Sequence, residues 1–101
     1  MAKKTVKCVS CGKETEFTLR VNFTVYCPQC GSMVHNECEK GFGPVIPYFF
    51  LVGDEEIAKV DSVKNRYILY LGGEEIPLEK TYYDAINEAD GILSERFGFK
   101  S

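Results

Sequence analysis

The strongest constraint in this chain is a motif written twice, Cys8-Val9-Ser10-Cys11-Gly12 and Cys27-Pro28-Gln29-Cys30-Gly31. Two cysteines separated by two residues place both sulfurs on one metal ion. The glycine that follows lets the backbone turn back with positive φ, which aims amide N–H groups at the thiolates. One such turn supplies half of a tetrahedral site, and two supply all of it. The expectation is a closed site made by Cys8, Cys11, Cys27 and Cys30 around one structural Zn2+. Four thiolates leave no open position for water or substrate, whereas a catalytic zinc keeps one. A redox role for either CxxC is disfavoured, because the metal would hold both thiol pairs.

Size explains why a metal is needed. The chain has 101 residues, enough for one domain or two very small ones. A segment of about 40 residues rarely buries enough apolar surface to fold unaided. Zinc bound by four thiolates supplies on the order of 10 kcal/mol of apparent folding energy. With 45% apolar and 27% charged residues the composition is that of a soluble globular protein. Met1-Ala2-Lys3-Lys4 leads into no apolar stretch, so no signal peptide is expected. The longest apolar run, Val45 to Val52, contains Pro47 and is too short to span a bilayer. A cytoplasmic protein with no membrane partner is expected. A reducing compartment favours metal over disulfides, and the odd count of five cysteines agrees.

Between the cysteine pairs, residues 16–26 place apolar side chains at every odd position, which is a strand period. To bring Cys27 back beside Cys8, the chain is expected to reverse at a three-residue loop, Arg20-Val21-Asn22. That hairpin would pair Leu19 with Phe23 and Phe17 with Val25. A third strand is expected at Ser32 to His35.

Two metal-binding turns bracketing a hairpin resemble the zinc ribbon family. The resemblance rests on Cys8, Cys11, Gly12, Cys27, Pro28, Cys30 and Gly31, and covers residues 1–38. It implies three short antiparallel strands on a structural zinc. It says little about function, since zinc ribbons occur in transcription factors, polymerase subunits, ribosomal proteins, phage regulators and enzyme inserts. The knuckles also look like those of rubredoxins, which hold iron. Rubredoxins separate their pairs by a longer, aromatic-rich segment, so zinc ranks first. His35 and Cys38 form H-x-x-C after the second knuckle. They are read as a surface histidine and a small buried cysteine rather than as ligands, because two ligands cannot close a second site.

The second half carries an internal repeat. Residues 48–57, YFFLVGDEEI, align with residues 67–76, YILYLGGEEI, at five identical positions of ten. Gly53-Asp54 and Gly72-Gly73 are two-residue hairpin turns. Val52 is expected to pair with Glu55 and Phe50 with Ile57; in the second copy Leu71 pairs with Glu74 and Leu69 with Ile76. With Asp61 to Asn65 as the link, this is a four-stranded antiparallel meander. Tyr82, Ile86, Ala89, Leu93 and Phe97 recur at helical steps, with a capping box at Thr81 and Asp84 and a glycine stop at Gly98. Asp90-Gly91 could kink or split that helix. The expected fold class is α+β: a zinc ribbon over 1–40, then a hairpin repeat with one C-terminal helix over 41–101.

Both faces of the predicted meander are apolar. Tyr48, Phe50, Val52, Ile57, Leu69, Leu71, Ile76 and Leu78 line one side. Phe49, Leu51, Ala58, Ile68 and Tyr70 line the other. The helix covers one side. The ribbon, attached through Gly41-Phe42-Gly43-Pro44, is the simplest cover for the other. Otherwise Phe49, Leu51, Ile68 and Tyr70 form an interface for a protein partner or a second copy of the chain.

Charge divides the two halves. Residues 1–40 carry six Lys/Arg against four Glu, and residues 41–101 carry six Lys/Arg against eleven Asp/Glu. A basic head suggests an accessory factor for transcription or translation. Lys3, Lys4, Lys7, Lys13 and Arg20 would meet phosphates and Tyr26 would stack on a base. Phe17 and Phe23 lie on the hairpin's apolar face and are expected to pack there. The second class is a protein–protein adaptor, inhibitor or assembly component that uses the apolar sheet and the acidic turns at Glu55-Glu56 and Glu74-Glu75. No Gly-rich phosphate loop or nucleophile–base constellation points to an enzyme.

Overall fold

The computed structural model describes residues 2–20, 22–37 and 47–99. Among them eight strands and one helix follow in order: β1 Lys3–Lys7, β2 Glu14–Thr18, β3 Phe23–Tyr26, β4 Met33–Glu37, β5 Tyr48–Val52, β6 Glu55–Val63, β7 Arg66–Leu71, β8 Glu74–Pro77 and α1 Tyr82–Phe97. The class is α+β. β1 and β2 form a sheet of two strands. The remaining strands form a six-stranded sheet in the order β4-β3-β5-β6-β7-β8.

The hairpin expected between the cysteine pairs does not form. β2 pairs with β1, placing Phe17 opposite Lys4, and β3 pairs with β4, placing Val25 opposite His35. Each CxxCG is the tip of its own hairpin, so four strands stand where three were expected. The period-two pattern assigns a face correctly but not a partner. Phe17, Phe23 and Val25 do share one apolar cluster, with no exposed surface on any of them. They reach it from two different sheets. Val21 of the expected loop lies outside the described residues, as do Cys38 and the Gly41-Phe42-Gly43-Pro44 segment.

A second departure is the edge on which the two halves meet. β5 lies parallel to β3, with Phe23 beside Phe49 and Val25 beside Leu51. One sheet therefore contains strands from both sides of residue 40. Parallel pairing requires a crossover connection, and no local turn signal announces it.

The repeat folds as the expected meander. Val52 pairs with Glu55, Leu71 with Glu74 and Leu69 with Ile76. Phe50, however, faces Ala58 rather than Ile57, because the register shifts between Phe50 and Leu51. Such a bulge adds one residue to one strand and swings all that follow to the other face. It moves Ala58 and Val60 onto the side of Tyr48 and Phe50. The link between the hairpins is also shorter than expected. β6 runs to Val63, and only Lys64 and Asn65 turn the chain, both at positive φ (52° and 63°). Positive φ at both central positions is the twist a two-residue hairpin needs.

α1 covers the face lined by Tyr48, Phe50, Ala58, Val60, Leu69 and Leu71, and buries Tyr82, Ala85, Ala89 and Leu93 against it. Gly91 does not split the helix, which runs unbroken from Tyr82 to Phe97. Gly98 ends it in the left-handed conformation with its N–H on the Ser94 carbonyl, 2.8 Å away. Thr81 is the N-cap residue, but the capping box is not realised. Its hydroxyl donates to the Asp84 carboxylate (2.7 Å) and makes no bond to a helix N–H. No described helix is long and apolar enough to cross a membrane.

The opposite face is covered in part by the β1–β2 hairpin. Phe17 with Val6 and Leu19 packs against Phe23, Val25, Leu51 and Phe49. The β1–β2 hairpin alone is thus the cover for this part of the sheet, since β3 and β4 belong to the sheet itself. Burying an aromatic or leucine side chain of this size contributes about 2 kcal/mol each, so this small cluster alone stabilises the hairpin only modestly.

Candidate metal centre

The two knuckles are built alike. In the first, the Cys8 N–H donates to the Lys13 carbonyl and the Gly12 N–H to the Cys8 carbonyl, each at 2.8 Å. In the second, the Cys27 N–H donates to the Ser32 carbonyl (2.8 Å) and the Gly31 N–H to the Cys27 carbonyl (2.9 Å). Gly12 and Gly31 close the turns at φ 78° and 79°. A side chain at that φ is strained, which is why glycine follows each second cysteine. The same six-residue turn joins β1 to β2 and β3 to β4.

Face to face, the two turns bring four sulfurs within 4.8 Å of one another. Cys8 Sγ lies 3.5 Å from Cys30 Sγ, and Cys11 Sγ lies 3.6 Å from Cys27 Sγ. Sulfurs bound tetrahedrally at about 2.3 Å from a metal stand about 3.8 Å apart. The four cysteines could therefore hold a metal ion. Among the described residues no other group of His, Cys, Asp and Glu has such an arrangement.

The thiols themselves argue for a cation. Ser32, through its hydroxyl and then its backbone N–H, brings the Cys30 thiol down to about 6. Burial pushes the Cys27 thiol up, but the Cys30 and Gln29 N–H groups outweigh it and the net direction is down. Cys11 goes the other way. The Lys13 N–H lowers it, yet desolvation and the three neighbouring sulfurs together push it up to about 12. Four adjacent thiols cannot all ionise without a counter-charge. A bound dication would reverse that balance and deprotonate them all.

The knuckles differ in what surrounds them. Val9, at the tip of the first, is 100% exposed. Around Gly12 the nearest side-chain atom is Lys7 Cε, 4.0 Å from where a Cβ would stand. The second is embedded. A Cβ on Gly31 would meet the Gly98 carbonyl oxygen and the Phe99 ring at 3.4 Å, and one on Gly53 would meet Pro28 at 3.7 Å. Gly53 N–H donates to the Tyr26 carbonyl at 3.0 Å. Phe99 stacks on Tyr26 with centroids 4.1 Å apart. Tyr26 donates its hydroxyl to the Asp90 carboxylate of α1. The turn of the first meander hairpin also clamps the far end of β2, since Asp54 accepts from the Thr18 N–H (2.7 Å) and hydroxyl (3.2 Å).

The remaining sequence-predicted residues are placed as follows. Tyr26 has no exposed surface, so it cannot stack on a base; it faces the helix side of the sheet rather than solvent. Lys3 pairs with Glu16 at 3.7 Å, and Lys7 stands directly opposite Glu14. Arg20 lies over the Phe49 ring, 5.8 Å from its centroid, and reaches the Thr18 carbonyl at 3.5 Å. Lys4 and Lys13 are exposed. His35 is not among the clustered cysteines and is not a freely exposed surface residue as expected; it is half-buried, its ring packed against those of Phe17 and Phe23 at 5.1 and 5.0 Å. Of the four interface candidates, Leu51 is fully buried beneath the β1–β2 hairpin and is not available to a partner. Phe49 is partly covered there. Ile68 and Tyr70 are half-buried and belong to neither apolar cluster, with Lys59 Nζ 5.6 Å from the Tyr70 centroid.

Sequence reasoning missed Ser32, Asp54, Asp90 and Phe99. Only Asp90 carried a signal, a carboxylate on a helix beside its apolar stripe.

No family model matches this chain, and no curated protein or solved structure does either.

Proposed function

We propose that this chain is a non-enzymatic binding module stabilised by one zinc ion. Its role is that of a small accessory or regulatory factor acting on the transcription or translation machinery of the cytoplasm. The observation that carries the reading is the convergence of four sulfurs from two equivalent hairpin tips. A centre with four thiolates is closed to substrate and serves as scaffold. What it supports is the β1–β2 hairpin, whose knuckle carries the fully exposed Val9 and the exposed Lys13. Zinc is favoured over iron by the short segment between the cysteine pairs.

Contact through protein is favoured over direct contact through nucleic acid. Lys3 and Lys7 are matched by Glu16 and Glu14, and Tyr26 is buried. Lys4, Lys13 and Arg20 are too few for strong phosphate binding in a chain of net charge −3. The second reading, a protein–protein adaptor, inhibitor or assembly component, is supported by Ile68 and Tyr70, which neither cluster covers. Titration of the metal-loaded protein with mixed single- and double-stranded nucleic acid at about 50 mM salt tests the choice. The expected result is no saturable binding, together with capture of a protein from the native host. Tight binding that weakens steeply with salt would restore the nucleic-acid reading.

A further inference from the structure

Within the cluster of four sulfurs, two short contacts cross between the knuckles, Cys8 with Cys30 at 3.5 Å and Cys11 with Cys27 at 3.6 Å. Each pair joins one solvent-reachable sulfur to one that is sealed off. Cys11 is exposed and Cys30 half-exposed, while Cys8 and Cys27 each keep only 1% of their surface. That is the division of labour of a thiol pair that reacts with an oxidant, one sulfur to be attacked and one to resolve. Ser10 and Ser32, whose hydroxyl oxygens lie 3.1 Å apart, hold the two turns together beside the sulfurs.

We propose that this centre is also a peroxide-reactive site, in which the two cross-knuckle pairs close to disulfides as the metal leaves. The inference rests on the metal-bound reading above. The Cys11 thiolate attacks one peroxide oxygen, the O–O bond breaks, and one proton carries the leaving oxygen off as water. Cys11 is then a sulfenic acid. The Cys27 thiolate attacks the Cys11 sulfur, the S–O bond breaks, and a second proton converts the departing hydroxide to water. Cys30 and Cys8 repeat the sequence. In total two peroxides and four protons yield two disulfides, four waters and one free metal dication. Each thiolate pair gives up two electrons, one pair to each peroxide, as it becomes a disulfide.

The pairing has a mechanical consequence. A disulfide within each CxxC would leave no cross-link between the exposed first knuckle and the second. Cross-knuckle disulfides replace the metal as the fastening, so β1–β2 stays seated on Phe23, Val25 and Leu51 after the ion is gone.

The test is excess hydrogen peroxide on the metal-loaded full chain carrying Cys38→Ser. Metal release is read with a chromogenic chelator, and disulfides are mapped by non-reducing proteolysis and mass spectrometry. The expected result is one metal released per chain, peptides linked Cys8–Cys30 and Cys11–Cys27, and recovery on adding dithiothreitol and zinc. The same map on the unaltered chain, with Cys38 remaining a thiol, makes the result independent of that substitution. Links within a knuckle, conversion to sulfinic acids, or retention of metal with intact thiols would overturn the proposal. A freshly purified reduced chain that binds no metal would instead overturn the metal reading itself.

Discussion

Tyr26 sits one residue ahead of Cys27 with no surface exposed, Phe99 stacked on its ring and its hydroxyl on the Asp90 carboxylate. Burial, then the hydrogen bond to Asp90 and the charge of that carboxylate, push this hydroxyl well above its ordinary value of 10.0. The neutral form is therefore the native form. The contribution is complete below the unfolded value and fades as pH rises past it. A plot of the urea midpoint against pH should decline above about pH 10, and Tyr26→Phe should flatten that decline. Asp90→Ala strands a buried donor and should cost about 1–3 kcal/mol. Tyr26→Phe leaves only a carboxylate that water can reach, and should cost about 1 kcal/mol. Equal losses would contradict this account. The knuckle glycines make a second comparison. Both sit at positive φ, so alanine should cost about 1–2 kcal/mol at either from backbone strain alone. Gly31→Ala in addition brings a Cβ to 3.4 Å from the Gly98 carbonyl oxygen and the Phe99 ring, whereas Gly12→Ala meets only the flexible Lys7 Cε, at 4.0 Å. Chemical denaturation should rank Gly31→Ala as the more damaging.

At the scale of elements, hairpins closed by local turns were legible and long-range neighbours were not. Gly72-Gly73 sets the register of β7 and β8 by itself, so Leu71 meets Glu74 as expected. The odd-position pattern from Phe17 to Val25 says that these residues share an apolar environment, and Phe17, Leu19, Phe23 and Val25 do. It does not say whether they face one another across a ladder or across two sheets, because both arrangements bury the same set. The repeated CxxCG, read as a pair of hairpin tips, would have given β1–β2 and β3–β4. Parallel β3 and β5 leave no trace in either strand's own sequence. Gly91 in α1 is a further case where local propensity yields to packing. It is exposed and helical, and a Cβ added there would meet nothing within 4 Å. Gly91→Ala should therefore raise stability by about 0.5–1 kcal/mol, read as a higher melting temperature. The clamp between β2 and the β5–β6 turn gives an acid-side prediction. Thr18 N–H, first, holds the Asp54 carboxyl below its ordinary value of 3.8. A lowered value stabilises above the unfolded pKa and is lost as pH falls through the folded one. Asp54→Asn should accordingly reduce the slope of stability against pH below about pH 4.

For the molecule as a whole, the four-cysteine cluster joins two bodies of unequal security. The six-stranded sheet and α1 share a core of twelve buried residues, whereas the β1–β2 hairpin contributes only Phe17, half-buried Val6 and Leu19 to a smaller one. Beyond that cluster its hold includes the Asp54 clamp, the Ser10–Ser32 hydrogen bond, Arg20 over the Phe49 ring and two of the four sulfurs. The clustering of the four cysteines was readable because metal geometry demands a fixed spacing that chance seldom repeats. The unequal attachment was not, since it depends on which strands share a sheet. Removing the ion should therefore not unfold the molecule evenly. Hydrogen exchange of the metal-loaded protein, followed by mass spectrometry with and without a zinc chelator, measures this directly. The prediction is that amides of residues 2–20 lose their protection on chelation, while β5 to β8 and α1 keep theirs. Unchanged protection across residues 2–20 would mean that the four sulfurs do not fasten this fold.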